Sequence, residues 1–336
     1  MNLKLLVILL INIVFVSKVN GSAFSPPFSN FSSKIIRQNV IDSRADITHH
    51  PCMVQVYVLR RQEEGFAGVD DWHFVCGGAL IQPMVVLTAQ SCVYETLFYA
   101  VDAGTHETHS CEHFNYVTNK RMHPLYIPGQ PDYNVAMLKV ERPFDLSSKV
   151  GLCIICYTQD WENIMEFSSQ LKIEGMAVGW RSGKLRNYVA TELHHGYFDI
   201  LRRSACVHRI KEYFPLSGSD QNQAFCTVFC LCKEEMSYQK IPNVCYRENG
   251  ALLFVGKYLW GISSILGDGN SCKQTTTFLF TKLVYYGIAH WIEAIKTEFK
   301  TLQPRPTSWL KDSETPMPNA CERNTPIENT KEYYWG

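Results

Sequence analysis

Thirteen cysteines, all downstream of a short apolar leader, constrain this chain more than any other feature of its sequence. The leader carries Lys4, an apolar run from Leu5 to Val16, and the segment Val19, Asn20, Gly21, and it reads as a secretory signal over residues 1–21. At about 12 residues the run is too short to span a bilayer, and no later stretch is long enough to do so. The mature chain is therefore expected to be secreted and extracellular. In that oxidising compartment thiols pair, so a disulfide framework is the expected use of the cysteines and a zinc site the weaker reading. Because thirteen is odd, at least one thiol is left free or pairs with another chain, and an intermolecular disulfide is one expected outcome.

The 336 residues, 46% of them hydrophobic, are ample for a large core. Lys plus Arg number 32 and Asp plus Glu number 32, so there is no basic excess to argue for nucleic acid. Nothing in the composition calls for a cofactor or a membrane. Residues 22–46 are rich in Ser, Pro and Asn and read as a mobile leader, with a sequon at Asn30 as a glycosylation acceptor. From Pro51 onward, short β-rich runs such as Met53 to Val58 and Pro83 to Thr88 alternate with Gly, Pro, Asn and Asp turns. This is the pattern of an all-β barrel or sandwich. One segment reads as helix: Ile288, Trp291, Ile292, Ile295 and Phe299 fall on one stripe. Beyond it, residues 300–336 are polar, carry Pro304, Pro306, Pro316, Pro318, Pro326 and a lone Cys321, and read as an extended tail.

Several motifs stand in order along the chain. Cys76-Gly77-Gly78-Ala79-Leu80-Ile81 is followed by Val86-Leu87-Thr88-Ala89-Gln90-Ser91-Cys92, then Met122-His123-Pro124-Leu125-Tyr126, then Asn134-Val135-Ala136-Met137-Leu138-Lys139. Ala177-Val178-Gly179-Trp180, the stretch Cys245 to Leu253, and Phe280-Thr281-Lys282 with Trp291-Ile292 complete the series. Together they resemble the trypsin-like (chymotrypsin-fold) serine proteases, whose corresponding patterns are C-G-G-S-L-I, V-L-T-A-A-H-C, H-P-x-Y, D-I-A-L-L-K, S-G-W-G, C-Q-G-D-S-G-G-P-L and Y-T-K with W-I. The resemblance covers residues 47–299 and implies a double six-stranded antiparallel β-barrel closed by a C-terminal α-helix.

Carried over residue by residue, the same resemblance implies a domain without its chemistry. Peptide hydrolysis by this mechanism needs a hydroxyl nucleophile, an imidazole that takes and returns its proton, and a carboxylate that holds the imidazole's tautomer. Ser91 stands at the histidine position, Asn134 at the aspartate position and Asn249 at the serine position. An alcohol is not a base near pH 7, and an amide is a very poor nucleophile. The oxyanion-hole glycine maps to Arg247, and the aspartate that pairs with a new N-terminus after activation maps to Glu248. The specificity-pocket aspartate of trypsin maps to Asn243, and the two pocket-wall glycines map to Leu266 and Phe278, whose side chains would fill that cavity. No Arg-Ile-Val-Gly-Gly-like activation sequence precedes Pro51; Arg44-Ala45-Asp46-Ile47 is the nearest candidate and lacks the glycines.

The resemblance also implies the disulfides Cys76–Cys92, Cys206–Cys226 and Cys245–Cys272. Cys52, Cys111, Cys153, Cys156, Cys230, Cys232 and Cys321 stay unassigned, and Cys156 resembles the family cysteine that tethers an N-terminal extension, with Cys321, Cys52 or another chain as its partner. Three other clusters have both a chemical and a bland reading. His106, His109, Cys111 and His113 are spaced to hold a metal on a loop, but exposed histidines and a disulfide at Cys111 explain them better, and no metal site is assigned. Cys230 and Cys232 read as partners in adjacent-loop disulfides before a redox pair. His194 and His195 read as solvated surface histidines before a displaced base, there being no evident nucleophile beside them. Ser91, Asn134 and Asn249 are expected to hydrogen-bond one another in the old cleft.

The function expected from this pattern is a secreted, non-catalytic protease homologue that binds other secreted proteins as cofactor, scaffold or decoy. The resemblance places such homologues in insect haemolymph immune cascades and in seminal fluid. The alternatives are an enzyme with a relocated nucleophile such as a free cysteine, or a carrier of a small apolar ligand.

Overall fold

Strand residues that alternate between two apolar environments are the basis of the architecture. The computed structural model describes residues 43–60, 71–93, 97–108, 110–155, 173–182, 190–202, 205, 206, 208, 228–232, 250–264 and 277–303. The first group of strands is β1 (Ser43–Arg44), β2 (Met53–Arg60), β3 (Asp71–Gln82), β4 (Val85–Thr88), β5 (Tyr99–Ala103), β6 (Asn115–Met122) and β7 (Ala136–Val140). The second is β8 (Ile154–Ile155), β9 (Ile173–Ser182), β10 (Ala190–Ile200), β11 (Val228–Cys232), β12 (Leu252–Val255), β13 (Tyr258–Ser264) and β14 (Thr277–Lys282), followed by helix α1 (Tyr286–Thr301).

Strands β2, β3, β4, β7, β6 and β5 close into an antiparallel barrel. In the second sheet β10, β11, β14, β13, β12 and β9 follow one another, and β9 pairs with β10 as well as with β12, so the path returns on itself. Short strands β1 and β8 attach to β10 and β13. The expected all-β double barrel with one closing helix is what is found.

The period of two explains how one strand serves two cores. In β2, Val54, Val56 and Val58 point into the first barrel beside Val86, Leu138 and Val140. Met53, on the other face, joins Leu87, Met137, Trp180, Leu252 and Ile262 in a core shared by both barrels, and Tyr57 joins Trp72 in an outer aromatic layer. Leu253, Trp260 and Phe280 fill the second barrel. A strand buried on both faces has no use for polar alternation, so the run Met53 to Val58 is nearly continuous in apolar character.

Helix α1 lays Ile288, Ile292 and Phe299 into the shared core, with Trp291 and Ile295 partly buried beside them, which is the stripe expected from the sequence. Two charged residues of the first barrel hold its C-terminal end. The buried Lys139 donates to the carbonyls of Phe299 (2.6 Å) and Leu302 (2.5 Å), where the helix dipole favours a cation. Arg121 forks onto the Glu298 carboxylate through Nε (2.9 Å) and Nη2. No described helix is long and apolar enough to cross a membrane.

Residues 43–46, expected to end a mobile leader, are part of the sheet instead. Ser43 and Arg44 pair with His195 and His194, the Ala45 amide donates to Leu193 O at 2.8 Å, and Ala45 is buried in the shared core. An unpaired edge on β10 is covered in this way, which the residue types of a two-residue strand do not announce. The bond between Arg44 and Ala45 is correspondingly built into the sheet.

Candidate functional site

The cleft positions are set by two short irregular segments. Ser91 lies in a single 3₁₀ turn, Gln90–Cys92, that follows β4 and is fastened by the Cys76–Cys92 disulfide. Asn134 precedes β7; Tyr133 has a positive φ of 56°, and the Val135 amide donates back to Tyr133 O at 2.7 Å, so a tight turn aims the Asn134 side chain inward.

The two side chains meet. Asn134 Oδ1 accepts from the Ser91 amide (2.8 Å), and Asn134 Nδ2 donates to Ser91 Oγ (3.1 Å) and to Ser264 Oγ (2.9 Å). Ser264 Oγ in turn donates to Pro131 O (3.3 Å), and Thr281 Oγ1 donates to Asn134 O (3.3 Å). Asn134, Ser264 and Thr281 are all buried. Among the described residues, the hydrogen bonds of Ser91 and Asn134 run to amide and hydroxyl groups, and none to an imidazole or a carboxylate. Such a network satisfies buried polar groups and ties the first barrel to strands β13 and β14 of the second. Ser264 was not singled out from sequence; its only local signal is a polar residue ending the apolar run of β13.

Around this centre, Thr88 Oγ1 donates to Gly77 O (2.8 Å) and Gln90 Oε1 accepts from the His123 amide (2.8 Å). The His123 ring stacks on Tyr133 at 4.8 Å and packs on Trp291 at 5.0 Å; burial pushes its pKa down to about 4. Its Nδ1 accepts from the Leu125 amide at 3.3 Å, which suits a neutral ring. The next strand begins where Ser263 O accepts from the Gly250 amide (3.4 Å) and Ser263 Oγ from the Ala251 amide (3.0 Å).

The other positions singled out from sequence divide between those described and those outside the description. Asn243, Arg247, Glu248, Asn249, Leu266, Cys156, Cys226, Cys245, Cys272, Cys321, His109 and Asn30 lie outside the described residues. Phe278 is in β14, opposite Leu231 of β11. Cys206 is disulfide-bonded, as is Cys111, which therefore presents no thiolate to a metal beside His106 and His113. Cys230 and Cys232 are strand residues of β11, where loop positions were expected. Cys52 pairs with Cys153, so the tether to the first barrel's entry strand runs from Cys153, and Cys52 is removed as a partner for Cys156.

The largest departure concerns His195. It was expected to be a solvated histidine with no nucleophile at hand; instead its Nε2 lies 2.9 Å from Ser43 Oγ and its Nδ1 lies 3.3 Å from His50 Nε2. The three come from β1, the turn before β2, and β10. The partners are brought together by the β1–β10 pairing, and the spacing of residues along the chain carries no trace of it.

The sequence model described as Trypsin matches residues 40–292. Chymotrypsin-C of Bos taurus is 24% identical over 222 residues, which are 62% of this chain and 74% of that protein. Phenoloxidase-activating factor 2 of Galleria mellonella is 34% identical over 88 residues, 25% of this chain; the chain spans only 28% of that protein's length. Among solved structures, HL collagenase has a TM-score of 0.58 at 17% identity, covering 76% of this chain and 96% of that one. The scabies mite inactivated protease paralogue S-I1 has a TM-score of 0.53 at 20% identity, covering 77% and 99%. These likenesses are of fold.

Proposed function

The chain belongs to the trypsin family, and from that premise we propose that it is a secreted, non-catalytic member that acts by binding other extracellular proteins. The observation that carries this reading is the reciprocal pairing of Ser91 with Asn134, the two residues that the sequence motifs assign to the family's imidazole and carboxylate positions. Acyl transfer by this scaffold requires a base that accepts the nucleophile's proton in the transition state. An amide donating to an alcohol performs no such step, and losing the histidine or the serine alone costs an enzyme of this kind roughly 10⁶-fold in turnover. The residues Arg247, Glu248 and Asn249, read from sequence, support the same conclusion. A scaffold kept without chemistry is kept for its surface. Similarity to an insect phenoloxidase-activating factor over a quarter of the chain fits a place in an extracellular cascade, and seminal fluid is the second setting we propose.

The test is labelling of the purified protein with a fluorophosphonate probe, alongside peptide-cleavage assays and crosslinking in the native secretion. We expect no labelling in the cleft and a co-purifying protein partner. Covalent labelling of any cleft residue would end this reading.

One observation favours a second reading, an enzyme with a relocated nucleophile. Ser43, His195 and His50 form a chain in which an imidazole contacts a hydroxyl on one side and a second imidazole on the other, at 2.9 and 3.3 Å. In that reading Ser43 Oγ attacks, and His195 takes its proton. Fluorophosphonate labelling that maps to Ser43 and vanishes in Ser43→Ala would establish it. A single hyper-reactive thiol revealed by iodoacetamide would point to a cysteine instead.

A further inference from the structure

We propose that the His50–His195 contact is a proton-operated latch, which fastens the turn that follows strand β1, and through it β1, to β10 while one hydrogen lies between the two facing ring nitrogens, and releases it when both of those nitrogens carry one. The inference is independent of whether the chain cleaves peptide bonds.

The geometry makes the contact sensitive to proton count. The His50 Nε2 to His195 Nδ1 gap of 3.3 Å accommodates a single hydrogen, donated by one ring to the lone pair of the other. A first added proton is tolerated, because an imidazolium can still donate to a neutral imidazole while His195 Nε2 donates to Ser43 Oγ. A second proton places two N–H groups and two positive charges face to face, and the hydrogen bond is lost. The pair thus titrates as a unit, taking its second proton reluctantly while closed and readily once open.

The surroundings strengthen that reluctance. His50 is buried against Phe254 of β12, with ring centroids 6.3 Å apart. Burial, followed by the nearby His195 and His49, lowers its pKa to about 4, against a smaller opposing pull from Asp46. Burial, then His49 and His194, lowers that of His195. Among the described residues, the charged groups around the pair include Arg44 on β1, Asp46 and His49 in the turn after it, His106 and Glu107 between β5 and β6, and Glu192 and His194 on β10, with the phenol Tyr197 beside them. On β9, the residues opposite His195 and His194 are Val178 and Gly179, which do not titrate. Arg44 bridges Glu107 (3.6 Å) and Glu192 (3.5 Å).

Strand β1 itself is short, and the residues that follow it, Ala45 and Ile47, enter the shared core. The strand is two residues long and is registered on β10 at Ser43 with His195 and Arg44 with His194, with the Ala45 amide on Leu193 O just beyond. Opening the latch takes away the His50 contact on Nδ1 and leaves β1 with the single side-chain hydrogen bond from His195 Nε2 to Ser43 Oγ, so that the two-residue strand can lift away. The β10 edge at His194 and His195 is then uncovered, and an uncovered edge is a surface on which another strand can pair.

Hydrogen–deuterium exchange of the full secreted chain between pH 7.5 and 4.5, corrected for intrinsic exchange rates, tests this. Segment 43–50 is compared with 85–88 in the first barrel. Opening that takes up at least one proton shifts the open-to-closed ratio by at least about tenfold per pH unit below about 6.5, so protection of 43–50 should fall by at least that factor while 85–88 stays protected. His50→Gln, whose amide can donate to His195 Nδ1 without titrating, should keep protection at pH 7.5 and flatten the profile. If that variant does not fold, His195→Gln serves the same purpose. Protection of 43–50 that does not change with pH, or that falls in parallel with 85–88, or an unflattened profile in the folded variant, would overturn the latch.

Discussion

The backbones of Gly77 and Gly250 lie so close that a Cβ built on Gly250 would fall 2.0 Å from the Gly77 carbonyl oxygen, and Gly250 has a φ of +84°. Two glycines from different barrels therefore meet backbone to backbone. Gly256 also has a positive φ, +59°, but nothing lies within 4 Å of its would-be Cβ. The contrast separates crowding from backbone strain. Gly250→Ala should destabilise by roughly 3–5 kcal/mol through both, and Gly256→Ala by about 1–2 kcal/mol through strain alone. Thermal unfolding of the two variants compares them directly; equal losses would mean that the Gly77 contact is not restrictive.

Asn134 should behave as a structural keystone of the cleft. Replacing it with alanine leaves the Ser91 amide and the Ser264 hydroxyl without their partner, at a cost of about 3 kcal/mol by urea denaturation. Asn134→Asp should be milder, because both hydroxyls can turn to donate to the carboxylate. An alanine variant as stable as the parent would show that water or a neighbour takes over the network.

The two cations that hold helix α1 should differ in weight. Lys139 is buried and satisfies two terminal carbonyls, whereas the side chains of Arg121 and Glu298 are 35% and 38% exposed. Lys139→Met should cost about 2–3 kcal/mol and raise exchange across residues 286–301. Arg121→Ala should cost less than about 1 kcal/mol. The reverse order in a chemical denaturation series would sink this account of the helix clamp.

Stability should fall on acidification below about pH 6.5. His50 and His123 are both held near 4 by burial, so unfolding lets each take up a proton as pH drops from 6.5 to 4. Their contribution is complete above the unfolded value and is lost toward the folded one. Asp102 works the other way. Burial raises it to about 6, so between 6 and 3.8 the folded state binds the extra proton and acidification favours folding. Two histidines against one carboxyl leave a net uptake of about one proton on unfolding between about 6 and 4, a loss of roughly 3–4 kcal/mol from pH 7 to 4, and His195, also lowered by burial, adds to it in the same direction. Urea midpoints measured across that range check the sign, and a flat or rising profile would refute it.

Local order along the chain was enough to specify much of this molecule. Strand and helix periodicities register how each side chain meets the nearest core, so the β-rich runs and the stripe from Ile288 to Phe299 could be read directly. The Cys76–Cys92 bond joins residues at the two ends of one β-hairpin and its following turn, and the motifs around it placed Ser91 and Asn134 in a common cleft. Tertiary structure alone decided which distant groups would meet. Asn134 finds Ser264 across 130 positions, Ser43 finds His195 across 152, and Cys52 finds Cys153 across 101. A residue's own type and its neighbours report whether it is apolar, polar or small; they do not report which edge a two-residue strand will cover. That is settled when the two sheets close and dock, and with it the partners of every polar group trapped between them.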